Sequence, residues 1–97
     1  MVCRSLLIVQ LKPGTRVKAV EAYHARGILE ECAEAIPEFV EGRVCLSETD
    51  ADRIIIEVDW SDPKGWQDWM SHPVRAAQSE DIGVYIESVV LSEVYAL

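Results

Sequence analysis

The stretch RIIIEVDWSDPKGWQDWMSHP, Arg53 to Pro73, decides the fold. Its first eight residues alternate. Ile54, Ile56, Val58 and Trp60 fall on one side of an extended chain, and Arg53, Glu57 and Asp59 fall on the other, where Ile55 is the only apolar residue. Period two with one apolar face is the pattern of a strand covered on one side. The period then changes. Asp62 can accept from the free N–H groups that open a helix, and Pro63 suits the first helical position. Trp66 and Trp69 are three apart and share a face of that helix. Before Pro73 the ladder of hydrogen bonds is interrupted, so the helix kinks or restarts at His72-Pro73.

Upstream, Thr49-Asp50-Ala51-Asp52 is a polar hairpin turn, and Phe39 to Glu48 reads as a second strand in which Gly42 marks a bulge or bend. Before it lies a helix from the cap Thr15 to about Ala35, which Pro37 stops by disfavouring helical geometry at the preceding residue. Val17, Val20, Tyr23, His24, Gly27, Ile28, Cys32, Ala35 and Ile36 recur at three- and four-residue spacing and predict one inward face. Arg4 to Leu11 (RSLLIVQL) is the first strand, closed by the turn Lys12-Pro13-Gly14. Downstream, the second helical region fades near Ser79 to Gly83. Val84 to Leu97 makes a final strand longer than the usual five to six residues, and its surplus can reach a partner subunit.

The order is βαββαβ, the split βαβ arrangement of ferredoxin-like domains. The expectation is a single α+β domain over residues 1–97, with an antiparallel four-stranded sheet and helices on one face. The bare face is buried most simply against a second sheet, which predicts a homodimer.

The 97 residues carry 9 Lys+Arg against 17 Asp+Glu, a net charge of −8. That surface repels phosphate backbones, and no basic cluster interrupts it, so nucleic acid and anionic membrane are excluded as partners. Cys3, Cys32 and Cys45 are scattered, with no C-x-x-C, which suits small buried hydrophobes in a reducing compartment. No signal peptide and no spanning segment is visible, so a cytoplasmic protein is expected. There is no glycine-rich phosphate loop, no nucleophile elbow and no clustered metal-ligand set, so neither cofactor nor metal is expected.

The residues able to carry chemistry are few. Trp60, Trp66 and Trp69 either build a core of large rings or wall a flat slot for an aromatic ligand. His24, beside Tyr23 on the expected inward face, is either a hydrogen-bonded core residue or a base that titrates near neutral pH. His72 either caps the second helical turn or joins the chemistry. Arg75, one turn on, is solvated or paired, or it holds an anionic substrate oxygen. The candidate catalytic residues are therefore His24, Trp69 and His72, with Tyr23, Trp60, Trp66 and Arg75 contacting substrate. An enclosed pocket of roughly 300 Å³ or more faced by His24 would mark an enzyme. A packed core there would mark a non-catalytic ligand-binding or dimerisation domain.

The chain resembles the antibiotic biosynthesis monooxygenase family. The likeness rests on Glu57-x-x-Trp60 ending the third strand, Trp69 nine positions later, and the turn Ser71-His72-Pro73, within a strand order that covers most of the chain. The resemblance implies a dimeric α+β barrel. It also implies a cofactor-independent monooxygenase of secondary metabolism acting on a polyphenolic or polyketide-derived aromatic substrate, with ring closure by a polyketide cyclase as the alternative on the same scaffold. In such oxygenases the substrate reduces oxygen as its enolate or phenolate, and the protein supplies a base, a dry pocket and orientation. The sequence departs from the family in two places. It contains no asparagine, and Gln78 stands where the Ala76-Ala77 match puts the haem-ligating histidine of relatives. The resemblance therefore does not extend to haem breakdown.

Overall fold

The computed structural model describes residues 1–97. β3 (Arg53–Trp60) lies inside one antiparallel sheet, between β1 (Cys3–Leu11) and β2 (Phe39–Leu46), and β4 (Ile86–Ala96) completes the order β2-β3-β1-β4. Four helices connect the strands: α1 (Arg16–Arg26), α2 (Ile28–Ala35), α3 (Pro63–Met70) and α4 (Pro73–Ile82). A single 3₁₀ turn, Gly83–Tyr85, separates α4 from β4. The architecture is the expected ferredoxin-like α+β fold. No helix is long and apolar enough to cross a membrane.

Alternation in β3 places its side chains as read. Ile54, Val58 and Trp60 are buried under the helices, and register pairs them with Val9, Ser5 and Cys3 of β1. Trp60 has no exposed surface. Its indole N–H donates to Ser5 Oγ at 3.0 Å, which satisfies the one polar atom the ring carries inward. α3 begins as expected, with the Asp62 carboxylate accepting from the Lys64 N–H at 2.9 Å and Pro63 in the first turn. It lies close to the sheet because Gly65 has no side chain. A Cβ there would stand 2.5 Å from Glu38 Cβ and 3.0 Å from the Trp60 ring.

Four local expectations need correction. The long first helix is two helices, broken at Gly27, whose φ of 71° is left-handed and closes α1. Thr15 does not cap α1 with its side chain, because its hydroxyl donates back to the Lys12 carbonyl at 2.7 Å. The irregularity of β2 falls at Val40, between Phe39 and Glu41, and not at Gly42. Gly42 stays in register, where a Cβ would meet Leu29 at 2.8 Å. The last strand starts at Ile86, since residues 83–85 form the 3₁₀ turn.

The core falls into two clusters. Cys3, Cys32, Ile36, Val58 and Trp60 pack at one end of the sheet, and Val9, Leu11, Ala19 and Ile54 at the other. Side chains from both clusters wall an internal space under the helices.

Candidate active site

This space is a cavity of about 170 Å³ between the helix-covered face of the sheet and α1, α2 and α4. Sixteen of its nineteen lining residues are hydrophobic, and the exceptions are Arg75, Gln78 and Ser79. The sheet supplies an aliphatic floor of Leu7, Val9, Ile54 and Ile56, and Trp69 at the end of α3 forms an aromatic wall. The exposed lining residues Ser79 and Val89 put the mouth between α4 and β4. A smaller void of about 50 Å³, lined by Ser5, Trp60 and Met70 among others, shares Trp69 and Arg75 as a common wall.

The polar groups facing the cavity have different states. Tyr23 is 5 % exposed, and its hydroxyl takes part in none of the side-chain hydrogen bonds of the fold, yet no fully enclosed polar atom is left without a partner. Its oxygen is therefore not fully enclosed, and Tyr23 is among the residues that line the cavity. Burial pushes the phenol well above its ordinary value, so at neutral pH it is a donor. Burial likewise pushes the Cys32 thiol up to about 12, which leaves it protonated and unreactive. Gln78 is buried, and its amide NH₂ donates to the Ile28 carbonyl at 3.2 Å and to Glu31 Oε1 at 3.3 Å, fixing α4 to α2. Arg75 forms no ion pair. No aspartate, glutamate or histidine lines the cavity, and no three His, Cys, Asp or Glu side chains gather into a metal-ligating group.

The structure brings together Tyr23, Trp69 and Arg75 of the expected site residues. Trp60 belongs to the core and the smaller void. Trp66 packs against the core cluster around Trp60 and reaches neither space. His72 is the N-cap of α4. Its Nδ1 accepts from the Val74 N–H at 3.1 Å, and its ring stacks behind Trp69 at 5.8 Å between centroids. His24 is a correction: it is exposed, with only its ring against the edge of Tyr23 at 6.1 Å. The break at Gly27 explains the misplacement. The inward face of α1 is Ala19 and Tyr23, four apart, and α2 starts a new face with Ile28 and Cys32. One residue past Tyr23 is a rotation of about 100° away from the core. Val17, counted on the same face, is exposed for the same reason. The sequence reading missed Gln78 as a site residue. Its one available signal was the family resemblance, which implies a histidine at this position.

No model of a known protein family matches the chain, and no curated protein matches it in sequence. Solved structures do match it in shape. A protein from Nitrosomonas europaea described as a candidate antibiotic biosynthesis monooxygenase superimposes with a TM-score of 0.81 at 11% identity, over 99% of this chain and 89% of that one. The fold is that of the antibiotic biosynthesis monooxygenases. SnoaB, a cofactor-independent oxygenase from Streptomyces nogalater, superimposes with a TM-score of 0.75 at 7% identity, covering 99% of this chain and 92% of that one. A dimeric ferredoxin-like protein of unknown function from Bacteroides fragilis gives 0.75 at 13% identity over 99% and 96% of the two chains. Identities this low speak to the fold alone.

Proposed function

We propose that the protein is a cofactor-independent monooxygenase acting, as a cytoplasmic homodimer, on a polyphenolic or polyketide-derived aromatic substrate. The observation that carries this reading is the apolar cavity walled by Trp69, with the Tyr23 hydroxyl and Arg75 as its donors. A dry apolar chamber favours a reaction between a substrate anion and dioxygen, because water would quench the anion and solvate it away from the neutral oxidant. The two donors stabilise an enolate or phenolate oxygen while electron density passes to oxygen. The fold shared with SnoaB supports the same chemistry. The three free cysteines suit a reducing compartment.

The geometry revises how the reaction would run. At about 170 Å³ the cavity is smaller than the roughly 300 Å³ at which ordinary ligand sites begin. One ring fits within it, and further rings must lie in the mouth beside Val89 and Ile86. His24 faces solvent and is withdrawn as the base. With no other base on the wall, the substrate proton leaves to water before the anion enters. The missing base also favours a second reading, a non-catalytic domain that binds a small aromatic ligand.

Oxygen uptake separates the two. With a panel of phenols and quinols and no added metal or flavin, the protein should consume oxygen with at least one substrate. Ile56→Phe, which fills the cavity floor, should abolish that uptake while the chain stays folded. No uptake across the panel would leave the binding-domain reading.

A further inference from the structure

The six arginines of the chain are not equivalent. Arg4 donates to Asp59 at 2.7 Å, Arg43 to Glu57 at 2.8 Å, and Arg26 to Asp81 at 2.7 Å and to Glu31. Arg53 meets Gln10 at 2.9 Å, and Arg16 donates to the carbonyls of Ser47, Asp50 and Arg53. Arg75 alone has no carboxylate and no carbonyl, although the chain holds 17 acidic residues to 9 basic ones. It is half-buried, and it faces both the main cavity and the small void. A guanidinium partly removed from water calls for an acceptor, and a planar fork suits a carboxylate or another oxyanion best.

The remaining polar groups of the cavity agree. The Tyr23 hydroxyl makes no hydrogen bond within the chain and is not fully enclosed, so it is free to donate to a ligand. Glu31, whose carboxylate meets the lining residue Gln78, is held by Arg26 and Gln78 and makes no ion pair with Arg75. Ser79 is spoken for, its hydroxyl donating to the Arg75 carbonyl at 3.0 Å, and most of the remaining wall is aliphatic or aromatic. Size sets the rest of the ligand, since an apolar cavity of about 150 Å³ holds benzene, and this one measures about 170 Å³.

We propose that the cavity is a binding site for a single-ring aromatic oxyanion, with the ring between Trp69 and the aliphatic sheet floor and the anionic oxygens on Arg75 and the Tyr23 hydroxyl. This rests on the reading of the cavity as a small-molecule site and narrows the part of the substrate that enters it. The ligand binds already ionised, because the wall holds donors and no base.

Calorimetric titration of the full chain with benzoate, benzamide and anthracene-2-carboxylate tests this. Benzoate should bind at least tenfold more tightly than its neutral isostere benzamide, and the three-ring acid, whose outer rings reach only the mouth, should gain less than tenfold over benzoate, a larger gain overturning the one-ring limit. Arg75→Gln should erase the preference for benzoate, and Arg75→Lys, which keeps the charge, should retain part of it. The Arg75 side chain makes no hydrogen bond or ion pair within the chain, and Gln and Lys keep most of its stem, so both variants should melt close to the parent. Tyr23→Phe, an isosteric change, is a second probe and should weaken benzoate severalfold. Equal affinity for benzoate and benzamide, a preference that survives Arg75→Gln, or no benzoate binding at millimolar concentration would each overturn the site. The measurement does not use oxygen. A protein that prefers benzoate but oxidises nothing keeps this site and loses the oxygenase reading, and the reverse result removes only the anion anchor.

Discussion

Tyr23 and Cys32 both face the cavity, and burial is the largest cause of the raised value of each. A raised value means that the folded chain holds its proton more tightly than the unfolded chain does. Linkage fixes the sign: the stability that Cys32 contributes is fully present below about pH 9 and is lost as pH rises toward 12. Tyr23 adds a loss of the same sign that begins near pH 10, the ordinary value of a phenol. The urea midpoint should therefore fall steadily above pH 9. Cys32→Ala should flatten the first part of that fall, and Tyr23→Phe the part above pH 10. An alkaline limb unchanged in both variants would show that other groups cause it. At this scale the sequence was legible where spacing alone decides. Tyr23, Trp60 and Asp62 stand where strand parity, helical spacing and cap chemistry put them. His24 was not legible, because its orientation depends on a backbone break three residues away. Gln78 was not either, since a glutamine in an Ala-Ala-Gln-Ser run gives no periodic signal.

Among the elements, that break is Gly27. In an uninterrupted helix, as the three- and four-residue spacing implies, replacing the glycine by alanine would stabilise by about 1 kcal/mol. In the structure φ is +71°, and an alanine there pays the left-handed penalty of roughly 1–2 kcal/mol. Space does not decide the matter, since a Cβ would meet only Glu30 Oε2, at 3.7 Å. Gly27→Ala should therefore lower stability by about 1 kcal/mol or more in chemical denaturation. A gain would restore the single helix. The turn has a consequence for the site: by restarting the helical face it brings Ile28 and Cys32 over the cavity. The other elements were read to within a few residues, because each carries its own punctuation: Pro13-Gly14, Pro37, Asp62-Pro63 and His72-Pro73. Gly27 carries none, since a glycine within an apolar stripe looks the same in either conformation.

For the whole molecule, the sheet face opposite the helices sets the expectation of a dimer. Register lines up Cys45, Ile55, Ile8 and Leu91 in one row across all four strands, with Leu6 beside it. The charges on the same face are largely matched within the chain, Arg4 with Asp59 and Arg43 with Glu57. A second sheet can therefore cover the face without stranding many unpaired charges, and an apolar stripe flanked by satisfied pairs is suited to such a contact. Opposing it is the net charge of −8 on each copy, which repels a partner at long range. These two terms respond differently to salt. Added salt screens the repulsion, with a Debye length of about 8 Å at 0.15 M, and leaves apolar burial in place. The dimer should therefore tighten from low to moderate ionic strength, where an interface held mainly by ion pairs between copies would loosen. Sedimentation at micromolar concentration should show the dimer. Ile8→Asp, at the centre of the row, should shift it to monomer and weaken association by at least tenfold, about 1.4 kcal/mol. Circular dichroism on the same sample should show that the monomer stays folded, because Ile8 lies outside both core clusters. A parent chain that sediments as a monomer at every salt concentration would leave this face to solvent and end the argument for pairing through it.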